Sequence, residues 1–387
     1  MNKSLHLFEG FGVEIEYMLV GSRSLDVNPM ADRIIHRQGH RKNDVDRGDF
    51  RWSNELVLHV VEIKGARPFP SLSGLAAGFQ EQIAALQRLA SDEGNEWRLL
   101  PTGMHPWMDP HLETKLWPHD QKEIYDCFDR IFSCQGHGWS NLQSTHLNLP
   151  FQGDGEFRRL HSAIRLVLPV IVALSASSPF EQGRFSGNLS QRMHHYARNC
   201  RKIPSISGLV VPDVFRSEQE YREMVFDRIE ADLASLDPDG ILEPEWTNAR
   251  GAIARFSRQS IEIRVMDAQE NPLFDIAILD FVIGLLRALT DGEFSSIETQ
   301  ESVATDSLAA LFTDCVHRGL DAGISDRNLL LSLGLNGEDG RTMTVGHAVD
   351  LLRHRLGFMD DQTASTIGRI LQHGPLARRI LDASGPD

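Results

Sequence analysis

The sequence predicts an α+β protein: an antiparallel sheet with one face in the core and one face carrying chemical groups, helices packed outside it, and an all-helical C-terminal segment. Three observations carry this. Residues 11–18 alternate apolar and acidic side chains, so a strand there turns Val13, Ile15 and Tyr17 one way and Glu14 and Glu16 the other. The alternation returns at 144–149 and 260–265, setting His146 beside Asn148 and Glu262 beside Arg264, opposite Leu147, Leu149, Ile261, Ile263 and Val265. From residue 296 onward the chain reads as helices only.

Two carboxylates on one face repel each other, and burying them unpaired is costly. The first strand therefore calls for a cation against its acidic face, and a divalent metal is the simplest candidate. Alone, the strand also fits a solvated edge with its acids in water; recurrence of the pattern is what gathers the groups into a site. Residues 26–50 are polar and read as a loop or excursion. Residues 55–64 read as an apolar strand ending in an acid. Glu55 and Glu62 are seven apart and would share a site only across a bulge or turn, which favours Glu62.

Leu75, Phe79, Ile83, Leu86 and Ala90 recur at helical spacing within 72–94, with Ser71 and Ser73 as candidate N-caps and Gly94 as a stop. A short strand at 97–100 leads into a loop holding His105. Helices are expected at 122–132 and 155–176, the second interrupted or kinked near Pro169. Small, turn-forming residues fill 175–188, suiting a backbone that passes close to a ligand, with 182–188 as a candidate lid. Residues 190–200 carry Arg192, His194, His195 and Arg198, and fit either a solvated basic helix or an anion-binding one. A helix at 218–236 precedes a stretch with Arg250, Arg255 and Arg258, and residues 273–289 form a strongly apolar, buried helix.

The net charge of −15 argues against nucleic acid as a partner, because phosphate backbones need a basic surface. The N-terminal residues lack an apolar run suited to a signal peptide. The longest uncharged apolar stretch, 166–180, contains Pro169 and Pro179 and falls short of the roughly 20 residues that span a bilayer. Cys127, Cys134, Cys200 and Cys315 form no CxxC pair, so neither a zinc site nor a disulfide framework is expected, and the reading is a reduced, cytoplasmic protein.

Carboxylates with one histidine suit Mg²⁺ or Mn²⁺ rather than zinc. With arginines nearby, such a site can bridge nucleotide phosphates and stabilise a phosphoryl group in transfer. Walker-type and Rossmann glycine spacings are absent, so phosphate binding would rest on metals and arginines. The residues by themselves read as metal-dependent phosphoryl chemistry on an antiparallel sheet.

The runs Gly12-Val13-Glu14-Ile15-Glu16-Tyr17, Val61-Glu62-Ile63-Lys64, Gly103-Met104-His105-Pro106, Ala173-Leu174-Ser175-Ala176-Ser177-Ser178-Pro179-Phe180 and Ile261-Glu262-Ile263-Arg264-Val265-Met266-Asp267 stand in that order, with the 187–192 segment between the last two. The set resembles the bacterial carboxylate–amine ligases of the glutamate–cysteine ligase type 2 family over roughly residues 8–290, the tail adding little. The resemblance implies a sheet curved into a funnel, as in glutamine synthetase and the guanidino kinases. It also implies ATP-dependent amide formation through an acyl phosphate between small-molecule carboxylate and amine substrates, with Mg²⁺ or Mn²⁺ as cofactor.

Carried onto this sequence, Glu14, Glu16, Glu62, His146 and Glu262 would be metal ligands, with Glu55 a further candidate. Arg264 would hold the transferring phosphate, Arg264 and Glu62 acting as the catalytic pair. Arg192, Arg250 and Arg255, with Arg264, would bind nucleotide or substrate carboxylate, and His105 would either line the site or serve as a loop hydrogen-bonder. The family often has two histidines two apart where this chain has His146 and Asn148, and Asn148 can hydrogen-bond a substrate in the second histidine's place. Residues 1–295 are expected to form the catalytic domain and 296–387 a helical C-terminal region, with homo-oligomerisation left open. The alternatives are a guanidino or carboxylate kinase of the same superfamily and a non-catalytic nucleotide-binding protein.

Overall fold

The computed structural model describes residues 4–39, 43–92, 96–335, 342–356 and 360–385. Its centre is an eight-stranded sheet built from β1 (Gly12–Gly21), β2 (Asp44–Arg47), β3 (Phe50–Asn54), β4 (Val60–Gly65), β5 (Trp97–Leu100), β6 (Ser144–Pro150), β9 (Ala252–Arg255) and β10 (Ser260–Asp267). The intervening β7 (Phe180–Glu181) and β8 (Arg184–Phe185) form a separate small hairpin. The sheet order is β2-β3-β4-β1-β6-β10-β9, with β5 also pairing β1, and every ladder is antiparallel.

The long β1 organises this order. Residues 14–18 pair with β4 on one side; on the other, residues 12–15 pair with β6 and residues 18–21 with β5. Register then fixes which side chains share a face. Glu14 lies opposite Lys64 and His146, Glu16 opposite Glu62, and Glu262 opposite Asn148. Val13, Ile15, Tyr17, Val61, Ile63, Leu147, Leu149, Ile261 and Ile263 fill the other face and are buried in the main core. The central helices Gly153–Ser175 and Pro272–Thr290, which contribute most of their residues to that core, pack against one another. At roughly 25 cal/mol per Å² of apolar area, this face is where the sheet gains its stability.

Several sequence expectations need correction. Residues 55–64 are not one strand: β4 begins at Val60, and Glu55 sits in the connection from β3. The polar excursion at 26–50 holds the helix Ala31–Gly39 and the strand β2, and β3 begins at Phe50; their short alternations were hidden among charged residues. The helix Gly153–Ser175 runs through Pro169 without interruption. The tail is not purely helical, since β11 (Gly323–Ile324) pairs with β12 (Met343–Thr344). The proposed Gly94 stop lies outside the described residues; the helix itself is Leu75–Asp92.

Tail helices at Thr305–Arg318 and Asp361–His373 pack on the two central helices, and Leu308, Phe312, Ile367 and Ile370 belong to the same core as the sheet. Among the described residues no helix is long and apolar enough to cross a membrane.

Candidate active site

The polar face of the sheet forms the floor of a cavity of about 640 Å³, within the range of small-molecule sites. Glu14, Glu55, Glu62, Lys64, His146, Arg255, Glu262 and Arg264 line it, walled by Tyr125 and Phe128 of the helix Lys122–Phe132 and by the segment 241–247. A second, inner pocket of about 170 Å³ adjoins it, and Glu55, His146, Trp246 and Arg264 border both. Glu16 opens onto the inner one.

Glu16 and Glu62 face each other directly across β1 and β4, an arrangement that is unfavourable unless both are held. The protein holds them separately. The Ser144 backbone N–H and hydroxyl both donate to Glu16 Oε2 at 2.8 Å. Glu62 Oε2 takes the Ser53 hydroxyl at 2.5 Å and the Lys64 ammonium at 2.6 Å. Burial raises the Glu62 carboxyl, with Glu14 adding to the effect, against the pull of Lys64. Burial alone would weaken the Lys64 charge, but Glu62 and Glu14 outweigh it and hold the ammonium well above its usual range.

Glu262 is the contrasting case. Arg255 Nε lies 3.0 Å from its Oε2 and Arg264 Nε 2.8 Å from its Oε1. Burial would raise this carboxyl, but Arg264 and then Arg255 overcome it and hold it down to about 2. Arg255 also stacks over the Trp246 ring at 4.4 Å, on an indole shared with Arg258 at 4.6 Å.

At the centre stands His146. The single Ser144 hydroxyl proton is committed to Glu16, so the contact of 2.8 Å between Ser144 Oγ and His146 Nε2 assigns the ring proton to Nε2. Burial keeps the imidazole neutral, lowering its pKa against the raising effect of Glu16. Its Nδ1 lone pair then faces Glu14 Oε2 at 3.4 Å. Two electron-pair donors in a buried site need a proton or a metal ion between them. Glu14 is raised by burial first and by Glu262 next, and Lys64, opposite it on β4, offsets this only in part.

The structure thus brings Glu14, Glu16, Glu62, His146, Glu262, Arg255 and Arg264 to one face, and the turn after β3 brings Glu55 to the same cavities. Five carboxylates meet the fixed charges of Lys64, Arg255 and Arg264. As they stand, no three acid or histidine side chains among the described residues converge closely enough to hold a metal ion. Lys64, Ser53, Ser144, Arg255, Arg264 and Asn148, whose Nδ2 donates to Glu14 Oε1 at 3.2 Å, occupy their oxygens instead.

Two expected arginines do other work. Arg250 lines neither cavity; its Nη1 donates to the Ser205 and Ile206 carbonyls at 3.0 and 3.4 Å and to Asn248 Oδ1 at 3.1 Å. Arg192 borders the inner pocket, but its Nε donates to Asp267 Oδ1 at 2.6 Å and its Nη groups lie 3.3–3.4 Å from the Arg264 carbonyl. That carbonyl belongs to a bulge, where the β10 pairing with β6 shifts between Ile263 and Met266. The bulge re-aims the strand at Arg264. His105 is a loop hydrogen-bonder: Nε2 meets the Leu25 carbonyl at 2.7 Å and Nδ1 accepts the Trp107 and Met108 N–H groups.

Sequence reasoning assigned no role to Asp267, which is fully buried and accepts from Ser177 N, the Ser178 and Ser190 hydroxyls and Arg192. A Cβ on Gly103 would lie 2.6 Å from the Asp267 carboxyl carbon, so only glycine lets that loop close over the cluster. The serine-rich run 175–178 was the available signal: its small polar residues serve this buried carboxylate rather than a ligand. Lys64 and Ser53 were missed as partners of Glu62.

Fold and site together define an α+β protein whose antiparallel sheet presents acids and arginines to a cavity, and the fold is shared with solved ligases. The chain superposes on glutamate–cysteine ligase from Francisella tularensis, solved in complex with AMP, with TM-score 0.53 and 11% identity over 96% of this chain and 84% of that one. On the bifunctional glutathione synthetase from Pasteurella multocida the TM-score is 0.56 with 12% identity, covering 97% of this chain and about half (52%) of that one.

The chain belongs to glutamate-cysteine ligase family 2, whose model matches residues 10–385 and so includes the tail. An uncharacterized protein of Archaeoglobus fulgidus is 37% identical over 279 residues, 72% of this chain and 74% of its own length. A putative glutamate–cysteine ligase 2 of Nitrosospira multiformis is 27% identical over 47% of this chain and 46% of its own length, so the match spans about half of that relative.

Proposed function

We propose that this protein is an ATP-dependent carboxylate–amine ligase that forms an amide through an acyl phosphate, with the site residues on the polar face of the sheet. Family membership and the ligase fold support the class. The observation that carries the chemistry is the paired lone pairs of His146 and Glu14 in a cavity where carboxylates outnumber fixed cations.

Oxygen donors with one imidazole fit Mg²⁺ or Mn²⁺. Glu14, Glu16, Glu62, His146 and Glu262 would hold the metal, which would supply charge neutralisation for nucleotide phosphates. Arg264 is aimed at the cavity by the bulge and would stabilise the phosphoryl group in transfer, with Arg255 beside it. Here a carboxylate oxygen of the substrate attacks the γ-phosphorus and ADP leaves. The amine nitrogen, as the free base, then attacks the acyl carbon, the C–O bond to phosphate breaks, orthophosphate leaves with that oxygen, and the nitrogen's surplus proton passes to solvent. The walls at 121–128 and 241–247 support a funnel-like entrance to the site.

Substrate carboxylate labelled with ¹⁸O tests this route: one label must appear in the released phosphate. Unlabelled phosphate, or a stable phosphorylated product with no amide, contradicts it, the latter in favour of a kinase.

Metal binding is expected to release protons. Glu14 and Glu62 both have raised pKa values, chiefly through burial, so just above the ordinary carboxylate range the metal-free site retains protons that free carboxylates have lost. Calorimetric titration with Mg²⁺ in two buffers of different ionisation enthalpy should show proton release that declines as the pH is raised. Release independent of pH contradicts the assignment.

A further inference from the structure

The inner pocket is chemically unlike the outer cavity. One side of it is an apolar wall of Leu56, Val57, Val60, Phe128, Trp139 and Leu142, and its volume of about 170 Å³ is close to the roughly 150 Å³ that admits a single benzene-sized ring. The polar groups on its boundary are mostly committed elsewhere. Arg192 is bound to Asp267, Asn199 to the Gly138 carbonyl, Asn248 to Tyr221 and Arg250, and Arg264 is paired with Glu262.

Glu55 differs. Among the described residues its carboxylate makes no hydrogen bond or ion pair, and it stands where the pocket meets the acid- and arginine-lined cavity. A buried carboxyl without a partner, beside the apolar wall of a pocket, calls for a cation attached to an apolar body. An α-amino acid would add a carboxylate beside Glu16 and Glu55, and of the two guanidiniums on the pocket Arg192 is paired with Asp267 while Arg264 faces Glu262 and is assigned to the phosphoryl group.

We propose that the inner pocket binds the amine substrate, and that this substrate is a primary amine with a compact apolar body of up to one ring and no α-carboxylate, its ammonium held by Glu55. The assignment rests on the ligase reading for its place in catalysis, while binding itself is separable. It places the nitrogen at the boundary with the outer cavity, where Arg264 and His146 also stand. In an apolar pocket of fixed size, one methylene too many or too few is worth roughly 10–200-fold in discrimination, so preference should fall sharply beyond one ring.

The test is calorimetric binding to the full chain of benzylamine, its neutral counterpart benzyl alcohol, and L-cysteine. Benzylamine is expected to bind at least tenfold more tightly than either. Glu55→Gln should abolish its advantage over the alcohol, and Leu142→Trp, which fills the pocket but leaves the acids intact, should weaken both ring compounds at least tenfold. Benzylamine binding no better than the alcohol, unchanged in both folded variants, or weaker than L-cysteine overturns the assignment. Phosphate release from Mg-ATP supported by L-cysteine and not by benzylamine overturns it too, while leaving the ligase reading in place. Benzylamine binding lost in both variants, with no ATP consumed by any carboxylate–amine pair, upholds the pocket and removes the ligase reading.

Discussion

Arg264→Lys is expected to lower turnover by about 10³-fold while leaving the protein folded and KM nearly unchanged. The side chain borders both cavities, and its backbone is fixed by the β10 bulge and by the Arg192 contact with its carbonyl. Lysine keeps a positive charge near Glu262, so the ion pair that stabilises the strand survives in part. It loses the planar fork that can engage a phosphoryl group while still facing Glu262. An interaction made only in the transition state lowers kcat and kcat/KM together. Phosphate-release kinetics with a thermal melt of the same preparation measure both; a loss below tenfold removes Arg264 from the chemistry.

The largest expected effect on stability belongs to Arg192→Met, at about 3–5 kcal/mol, the usual cost of removing one partner from a buried ion pair. Arg192 and Asp267 are each 1% exposed in their side chains and 2.6 Å apart. Without the guanidinium, Asp267 keeps only the Ser177 N–H and the Ser178 and Ser190 hydroxyls. The bulge would also lose its hold at the Arg264 carbonyl, so kcat should fall even where the variant remains folded. Arg192→Met combined with Asp267→Asn should recover part of the stability, because the buried charge is gone, but not the activity. Urea unfolding measures this, and a change below about 1 kcal/mol means that the pair does not hold the site.

Much of this site was legible because a strand converts alternation directly into faces. Once Val13, Ile15 and Tyr17 are taken as core, Glu14 and Glu16 must point the other way, and the same logic places His146 and Glu262. What alternation does not give is the partner. Lys64 and Ser53 reach Glu62 through β4 and β3 register, and Ser144 reaches Glu16 from across β6. Arginines were the least legible residues. Arg192, Arg250 and Arg255 look alike in sequence, yet one binds a buried aspartate, one caps loop carbonyls and one faces the cavity. Glu55 was legible only conditionally: strand parity set it against Glu62 unless a bulge or turn intervened, and the turn after β3 brings it to the site. The crowded acids called for a cation, and Lys64, Arg255 and Arg264 supply part of it from the chain itself.

The most direct test of the ligase reading is phosphate release from Mg-ATP across a panel of carboxylates and amines, with mass analysis of the products. The account predicts release that requires one carboxylate and one amine together, with a product mass equal to their sum less one water. Release with a carboxylate alone that leaves a stable phosphorylated compound, or ATP bound and never consumed by any pair, would contradict it.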